Sequence, residues 1–239
     1  MSRDLVSCVC LTTWPKREAM LAESLRAYSL QTYPLRRLFV VNDGTPLKSL
    51  AKDVSVVNLR PGLTIGEKRN EGLRLAQDSW VAPWDDDDFA FPVHLEFLMG
   101  VAQRTLPDQV HCALYAVANG EMRVGCVVRR IMLAASIVWA PIARAMGGYP
   151  RINIAEDVAL YQKVRLRRQR SVHQTRLTYV YRRHSKNVTC QSGWGNRSDR
   201  HVTDCLEDQQ RWPSAEVDQL QRYLDHCRGQ QTPKLVEPL

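Results

Sequence analysis

The chain has 239 residues, enough for a sizeable core, and its 44% hydrophobic and 24% charged residues, free of repeats and low-complexity tracts, exclude a disordered or fibrous protein. The apolar stretch 5–11 behind Met1-Ser-Arg-Asp has neither the length of a membrane span nor a small-residue cleavage site, and no other segment looks secretory or membrane-spanning, so a cytoplasmic protein is expected. The formal net charge is +8 and uneven: residues 1–120 carry 13 Lys and Arg against 14 Asp and Glu, residues 121–239 carry 20 against 11.

Residues 6–11 and 38–41 are short β-branched-rich runs, and Leu21, Leu25 and Tyr28 recur between them at helical spacing. Continuous apolar runs, rather than strict alternation, point to strands covered on both faces of a parallel α/β sheet. A third strand is expected at 54–59, ended by Arg60-Pro61-Gly62. Thr64-Ile-Gly-Glu67 fits a capping box, predicting a helix to about Gln77 with Leu73 and Ala76 facing inward and Lys68, Arg69 and Arg74 free to reach solvent or a ligand. Residues 80–84 read as a brief strand that stops at Asp85-Asp86-Asp87-Asp88, and Pro92 suits the first turn of a helix to about Gln103. Segments 110–117 and 122–128 are rich in β-formers, and an apolar stretch with Trp139 leads to the turn Gly147-Gly148. Residues 154–164 are predicted helical, with Glu156 and Asp157 in the first turn, and 177–181 form a last strand. Residues 229–239 are expected to be a loose tail behind one domain spanning 1–228. Seven cysteines, none in Cys-x-x-Cys spacing, read as reduced thiols.

Four adjacent aspartates at a strand end repel one another and raise each other's pKa, so something positive should sit there. Carboxylate oxygens suit Mg2+ or Mn2+ bridging to phosphate, and strand carboxyl ends are where open α/β sheets bind ligands. Taken alone, such a run is more often a solvated loop.

The run does not stand alone. Residues 6–17 (Val-Ser-Cys-Val-Cys-Leu-Thr-Thr-Trp-Pro-Lys-Arg), Ser29-Leu-Gln-Thr-Tyr-Pro34, Phe39-Val-Val-Asn-Asp-Gly44, Lys68-Arg-Asn-Glu-Gly-Leu73, Trp84 with the acids, Met146-Gly-Gly-Tyr149 and Glu156-Asp157 follow in an order that resembles glycosyltransferase family 2. The resemblance implies the GT-A fold: a single α/β domain with a mostly parallel central sheet flanked by helices, residues 1–105 binding the nucleotide-sugar and 106–228 the acceptor. It implies a divalent metal, Mn2+ or Mg2+, and a nucleotide-sugar donor, a UDP-sugar being favoured. By the same resemblance Thr12 and Asp43 lie against the nucleotide, with Asp43 accepting from a uracil ring nitrogen, and Arg69 stands near it. Asp85 and Asp86 are expected at the nucleotide and Asp87 on the metal, although four aspartates permit a one-residue slip between Asp86 and Asp87. Asp157 matches the general base of inverting members. His184 resembles a late histidine that approaches the metal or the diphosphate. Trp139 and Trp194 would either stack on a sugar or pack in the core.

The acceptor is approached through charge. Residues 163–183 hold eight basic side chains and no acid, which suits a polyanionic acceptor such as DNA with hydroxylated bases, or an anionic membrane surface bearing a lipid-linked saccharide; a solvated arginine-rich helix would look the same. A nucleotidyltransferase with a similar metal site would carry a glycine-rich loop after the first strand, and residues 11–16 contain no glycine. A non-catalytic DNA-binding protein would show a helix-turn-helix or zinc finger, and neither is evident. Asp208-Gln-Gln-Arg-Trp212 departs at its first position from the Gln-x-x-Arg-Trp signature of processive synthases, so a non-processive enzyme is expected.

Overall fold

Strand β1 (Val6–Thr12) is the axis of the molecule. Its alternate side chains enter two different cores: Val6, Cys8 and Cys10 pack with Leu21 and Leu38 on one face, while Val9 packs with Leu73 and Ala76 on the other. Both faces being apolar, the strand reads as an unbroken hydrophobic run. In this computed structural model, which describes residues 3–48, 53–166, 171–174, 176–184 and 214–229, the cysteines Cys8, Cys10 and Cys112 are buried free thiols.

β2 (Arg36–Asn42) and β4 (Trp80–Pro83) flank β1 in parallel register, Val6 opposite both Arg36 and Trp80, and β3 (Val54–Asn58) extends the sheet beyond β2. Helices α1 (Glu18–Ser29) and α2 (Ile65–Ala76) are the crossovers. The capping box of α2 forms as expected: Thr64 Oγ1 accepts the Glu67 N–H, and a Glu67 carboxylate oxygen accepts the Thr64 N–H at 2.9 Å. The sheet continues past β4 through β9 (Met132–Trp139), β6 (Gln109–Cys112) and β10 (Ser171–Gln174); β9 runs antiparallel to both neighbours, and the order is β10-β6-β9-β4-β1-β2-β3.

A second, four-stranded sheet of order β5-β11-β7-β8 is made of β5 (Phe89–Ala90), β11 (Tyr179–Arg183), β7 (Tyr115–Asn119) and β8 (Val124–Val128). Helices α3 (His94–Thr105), α4 (Ala140–Ala145), α5 (Glu156–Leu166) and α6 (Ser214–Gly229) complete the described chain. Leu220 and Leu224 of α6 are buried in the larger core, and Tyr223 meets Phe91 at 4.8 Å between ring centroids. A mostly parallel sheet flanked by helices is thus the observed architecture, as the GT-A expectation required.

Four local expectations shift. Pro92 lies ahead of α3 rather than in its first turn, because its carbonyl accepts the Thr32 N–H at 2.8 Å and the chain turns once more, His94 N–H to Phe91 O, before the helix starts. The β-rich run 110–117 divides at Ala113 into β6 and β7, which belong to different sheets. Residues 132–139, read only as an apolar stretch, are the antiparallel strand. Finally, α5 begins at Glu156, two residues later than predicted, because Ala155 at φ +59° lies outside the right-handed helical region.

Candidate active site

Three chain segments end at one cleft of about 630 Å3: the C-terminal end of β1 with its following loop, the acidic run after β4, and the loop leading into α5. It opens at the carboxyl ends of parallel strands, where backbone carbonyls and turns leave room for a ligand. Thr12, Arg69, Asp85, Asp86, Asp87 and Asp157 all line it.

The four aspartates differ in their surroundings. Asp86 is buried; its Oδ2 accepts from the Thr12 hydroxyl at 2.8 Å and its Oδ1 lies 2.8 Å from Arg17 Nη2. Burial pushes its carboxyl up to about 7, with Arg17 opposing and Asp87 adding. Asp85 faces Arg69 Nη2 at 3.3 Å, and burial again raises its pKa against that charge. Asp87 goes the other way: burial pushes it up, but the bond to His184 and the charge and bond of Arg17 outweigh that and hold it below the usual range. Its Oδ2 lies 3.1 Å from His184 Nε2 and also touches Arg17 Nη2. Asp88 turns away to β11, accepting from the Tyr179 hydroxyl at 2.7 Å and the Arg182 backbone N–H at 2.9 Å. Burial, then the charges of Asp87 and Asp85, raise its pKa well above the ordinary value. It anchors the acidic run to the second sheet.

Two cations of α2 line the cleft. Arg69 bridges two distant segments, with Nη2 on Asp85 and Nε on Glu156 Oε1 at 2.9 Å. Burial works against its charge, but Asp85, Tyr149, Glu156 and Asp157 more than compensate, so it stays protonated. Lys68 Nζ reaches Asp43 Oδ2 at 3.0 Å, and the Thr13 hydroxyl donates to Asp43 Oδ1 at 2.8 Å. Asp43 thus lies next to the cleft, held by two residues that line it.

The start of α5 is fixed by a clamp. The Asn70 side chain donates to Tyr149 O and accepts the Tyr149 N–H, both at 2.8 Å. Gly148, at φ +67°, allows this approach, since a Cβ there would fall 2.4 Å from Asn70 Oδ1. Ile65 N–H and Gly66 N–H donate to Asn153 Oδ1 and Ile152 O, tying the first turn of α2 to the same loop. Asp157 is thereby placed half-buried at the cleft, its Oδ1 accepting the Val158 N–H at 2.7 Å.

Of the residues singled out from sequence, those on β1, β4, α2 and α5 converge, and Asp43 and His184 join through Lys68 and Asp87. Trp139 is a core residue, edge-on to Trp80 at 5.6 Å. Trp194, Arg167, Arg168 and residues 208–212 lie outside the described residues. Among the described residues no group of three His, Cys, Asp or Glu side chains is arranged to hold a metal ion. Asp87, which lines the cleft, and His184 Nε2 beside it nevertheless offer one oxygen and one nitrogen donor, a set that fits Mn2+ or Mg2+ completing its shell with water and phosphate oxygens. Sequence reasoning gave no role to Arg17, Asn70 or Thr13, and missed the pairing of Glu156 with Arg69. Only the demand for positive charge around the acids pointed to any of them.

Residues 8–126 match the family model described as glycosyl transferase family 2. None of the curated proteins matches the chain. Among solved structures, it is similar to S. aureus TarS 1–349 in complex with UDP-GlcNAc at 16% identity and a TM-score of 0.62, covering 94% of this chain and 72% of that one. It is also similar to the mannosyltransferase PcManGT from Pyrobaculum calidifontis in complex with GDP-Man and Mn2+ at 13% identity and a TM-score of 0.58, covering 98% of this chain and 67% of that one. At these identities the likeness is one of fold.

Proposed function

The chain belongs to the family 2 glycosyl transferases, and on that premise we propose that it is a metal-dependent, inverting, non-processive enzyme that moves a sugar from a nucleoside diphosphate, UDP in preference, to an acceptor hydroxyl. One observation carries this reading: Asp85, Asp87 and Asp157 face one cleft although α5 lies far along the chain from the acidic run, and Arg69 joins the two sides. The TarS and PcManGT structures hold UDP-GlcNAc and GDP-Man, which supports a nucleotide-sugar in the equivalent fold, and PcManGT also holds Mn2+.

In this reading residues 1–105 form the donor side. Thr12 and Asp86 shape the floor, Asp85 accepts from the ribose, and Asp43, kept in place by Lys68 and Thr13, accepts from the base. Asp87 and His184 would hold the divalent cation, which when bound would supply positive charge for the departing diphosphate. Asp157 takes the proton of the acceptor hydroxyl as that oxygen attacks the anomeric carbon from the face opposite the leaving group, so the configuration inverts. Residues 106–228 form the acceptor side. Their excess of basic over acidic residues favours a polyanionic acceptor, such as DNA with hydroxylated bases, over a neutral glycan.

Thermal denaturation with Mn2+ and UDP-sugars tests the donor half. We expect a rise in Tm with at least one of them, its loss in Asp87→Ala, and its survival in Asp157→Asn alongside loss of transfer. No rise with any nucleotide-sugar sinks the proposal.

A further inference from the structure

Arg17 follows β1 and precedes α1, and its guanidinium lies on the acidic run. Nη2 is 2.8 Å from Asp86 Oδ1 and in closer contact still with Asp87 Oδ2, the oxygen that His184 Nε2 also approaches at 3.1 Å. The side chain is one quarter exposed, against 3% for Asp86 and 13% for Asp87, so it reaches these acids from the cleft side and caps them. Its Nε is buried and meets no hydrogen-bond acceptor among the described residues. A guanidinium has five N–H donors in a rigid fork, and here that fork is only partly used.

A divalent cation on Asp87 needs Oδ2 or its neighbour at about 2.1 Å, well inside the distance of a hydrogen-bonded nitrogen. An ion on Oδ2 takes the position that the guanidinium now holds, and the like charges oppose sharing that oxygen. We propose that Arg17 is the resident counter-cation of the acidic run, exchanged for the divalent metal and thereby released to the diphosphate of the donor, whose oxygens match its fork. This rests on the metal-dependent reading of the site. Arg17 then has two successive partners: before metal binds it faces the charges of Asp86 and Asp87, and afterwards it offers Nη2 and the unused Nε to phosphate oxygens. Binding of metal and of nucleotide becomes linked through one side chain.

The exchange separates two directions of change that a merely structural arginine would not. Removing a competitor strengthens metal binding, whereas removing a strut that holds the acids in place weakens it. Mn2+ binding is measured by isothermal titration and by the loss of the free-ion electron paramagnetic resonance signal, on the wild-type chain, Arg17→Gln and Arg17→Lys. UDP binding is measured at saturating Mn2+. We expect Arg17→Gln to bind Mn2+ alone more tightly by roughly five- to a hundredfold, the usual range for coupled sites, and to bind UDP more weakly by a factor in that range; Arg17→Lys should fall between it and wild type in both. Mn2+ affinity unchanged or lowered in Arg17→Gln overturns the exchange, and unchanged UDP affinity overturns the diphosphate role. If Gln fails to fold, the Lys variant decides by the same directions. A wild-type chain that binds no Mn2+ refutes the metal-dependent reading itself and is told apart from failure of the exchange by that control.

Discussion

His111 shows how much one side chain can cost a core. It is almost fully buried on β6, neither ring nitrogen has a partner among the described residues, and it borders a cavity of about 40 Å3 that Asp157 also lines. Burial first, with the neighbouring charge of His173, lowers its pKa to about 4. Phenylalanine would keep the edge-on contact with Tyr161, 4.9 Å between centroids, use the adjoining space and remove two unsatisfied polar atoms. His111→Phe should therefore raise unfolding free energy by about 1 kcal/mol at pH 7.5. The sign of its pH dependence follows from the shift. Between pH 6.5 and about 4 the unfolded wild type takes up a proton that the native imidazole refuses, so wild-type stability falls as pH drops while the variant lacks that loss. The gap between them should widen by about 1.4 kcal/mol per pH unit below pH 6. Urea titrations from pH 7.5 to 4.5 read it directly, and a constant gap would refute the assignment. At this scale the acids were legible because four adjacent carboxylates are costly anywhere but beside a cation. The identity of the cation was not, since Arg17 and Asp87 are 70 residues apart and nothing local in either pairs them.

Between residues and fold stand the turns that aim helices. Gly147 and Gly148 both have positive φ, but only Gly148 is crowded, its missing Cβ pointing at Asn70, whereas a Cβ added at Gly147 would meet no atom within 4 Å beyond its chain neighbours. Gly147→Ala should cost about 1 kcal/mol through backbone strain alone. Gly148→Ala should cost more and also slow transfer, because it must push Asn70 off Tyr149 and shift the start of α5. Comparing denaturation midpoints and turnover of the two variants isolates the clamp, and equal effects on both would remove it. The capping box of α2 was readable because its two hydrogen bonds lie within four residues. β9 was not, because an antiparallel strand buried on both faces has the same unbroken apolar pattern as a parallel one or a core helix, and only its pairing with β4 and β6 distinguishes them.

Charge belongs to the whole molecule, and here the structure qualifies the sequence. Of the basic residues in 163–183, Arg182 is buried against Glu23, Arg176 lies over the Phe97 ring at 4.4 Å, and Lys163 Nζ approaches Gly148 O at 3.4 Å. The described residues of the segment lie on the end of α5, on β10 and on β11, and so not on one helix. A polyanionic acceptor must draw on fewer charges than the count suggests, Arg165 among them, which is exposed. We accordingly expect duplex DNA to bind with a shallow salt dependence, log Kd against log salt rising with a slope of roughly two to four, one phosphate contact per available cation. Fluorescence anisotropy between low and moderate salt measures it, with anionic vesicles as the competing surface; no binding to DNA at low salt would point away from nucleic acid.

The strand order carries one further consequence, for synthesis on the ribosome. β4 presents the acidic run, yet one of its two edges is covered only by β9, which begins nearly fifty residues after β4 ends, and Asp88 finds Tyr179 later still. A nascent chain that has emitted residues 1–88 already holds Asp43 and the whole acidic run, but on an open-edged sheet whose acidic run lacks its anchor. The acidic run gains its anchor only with β11, the last of the described strands to emerge, and until β9 follows the growing polypeptide carries an exposed strand edge that a chaperone would recognise.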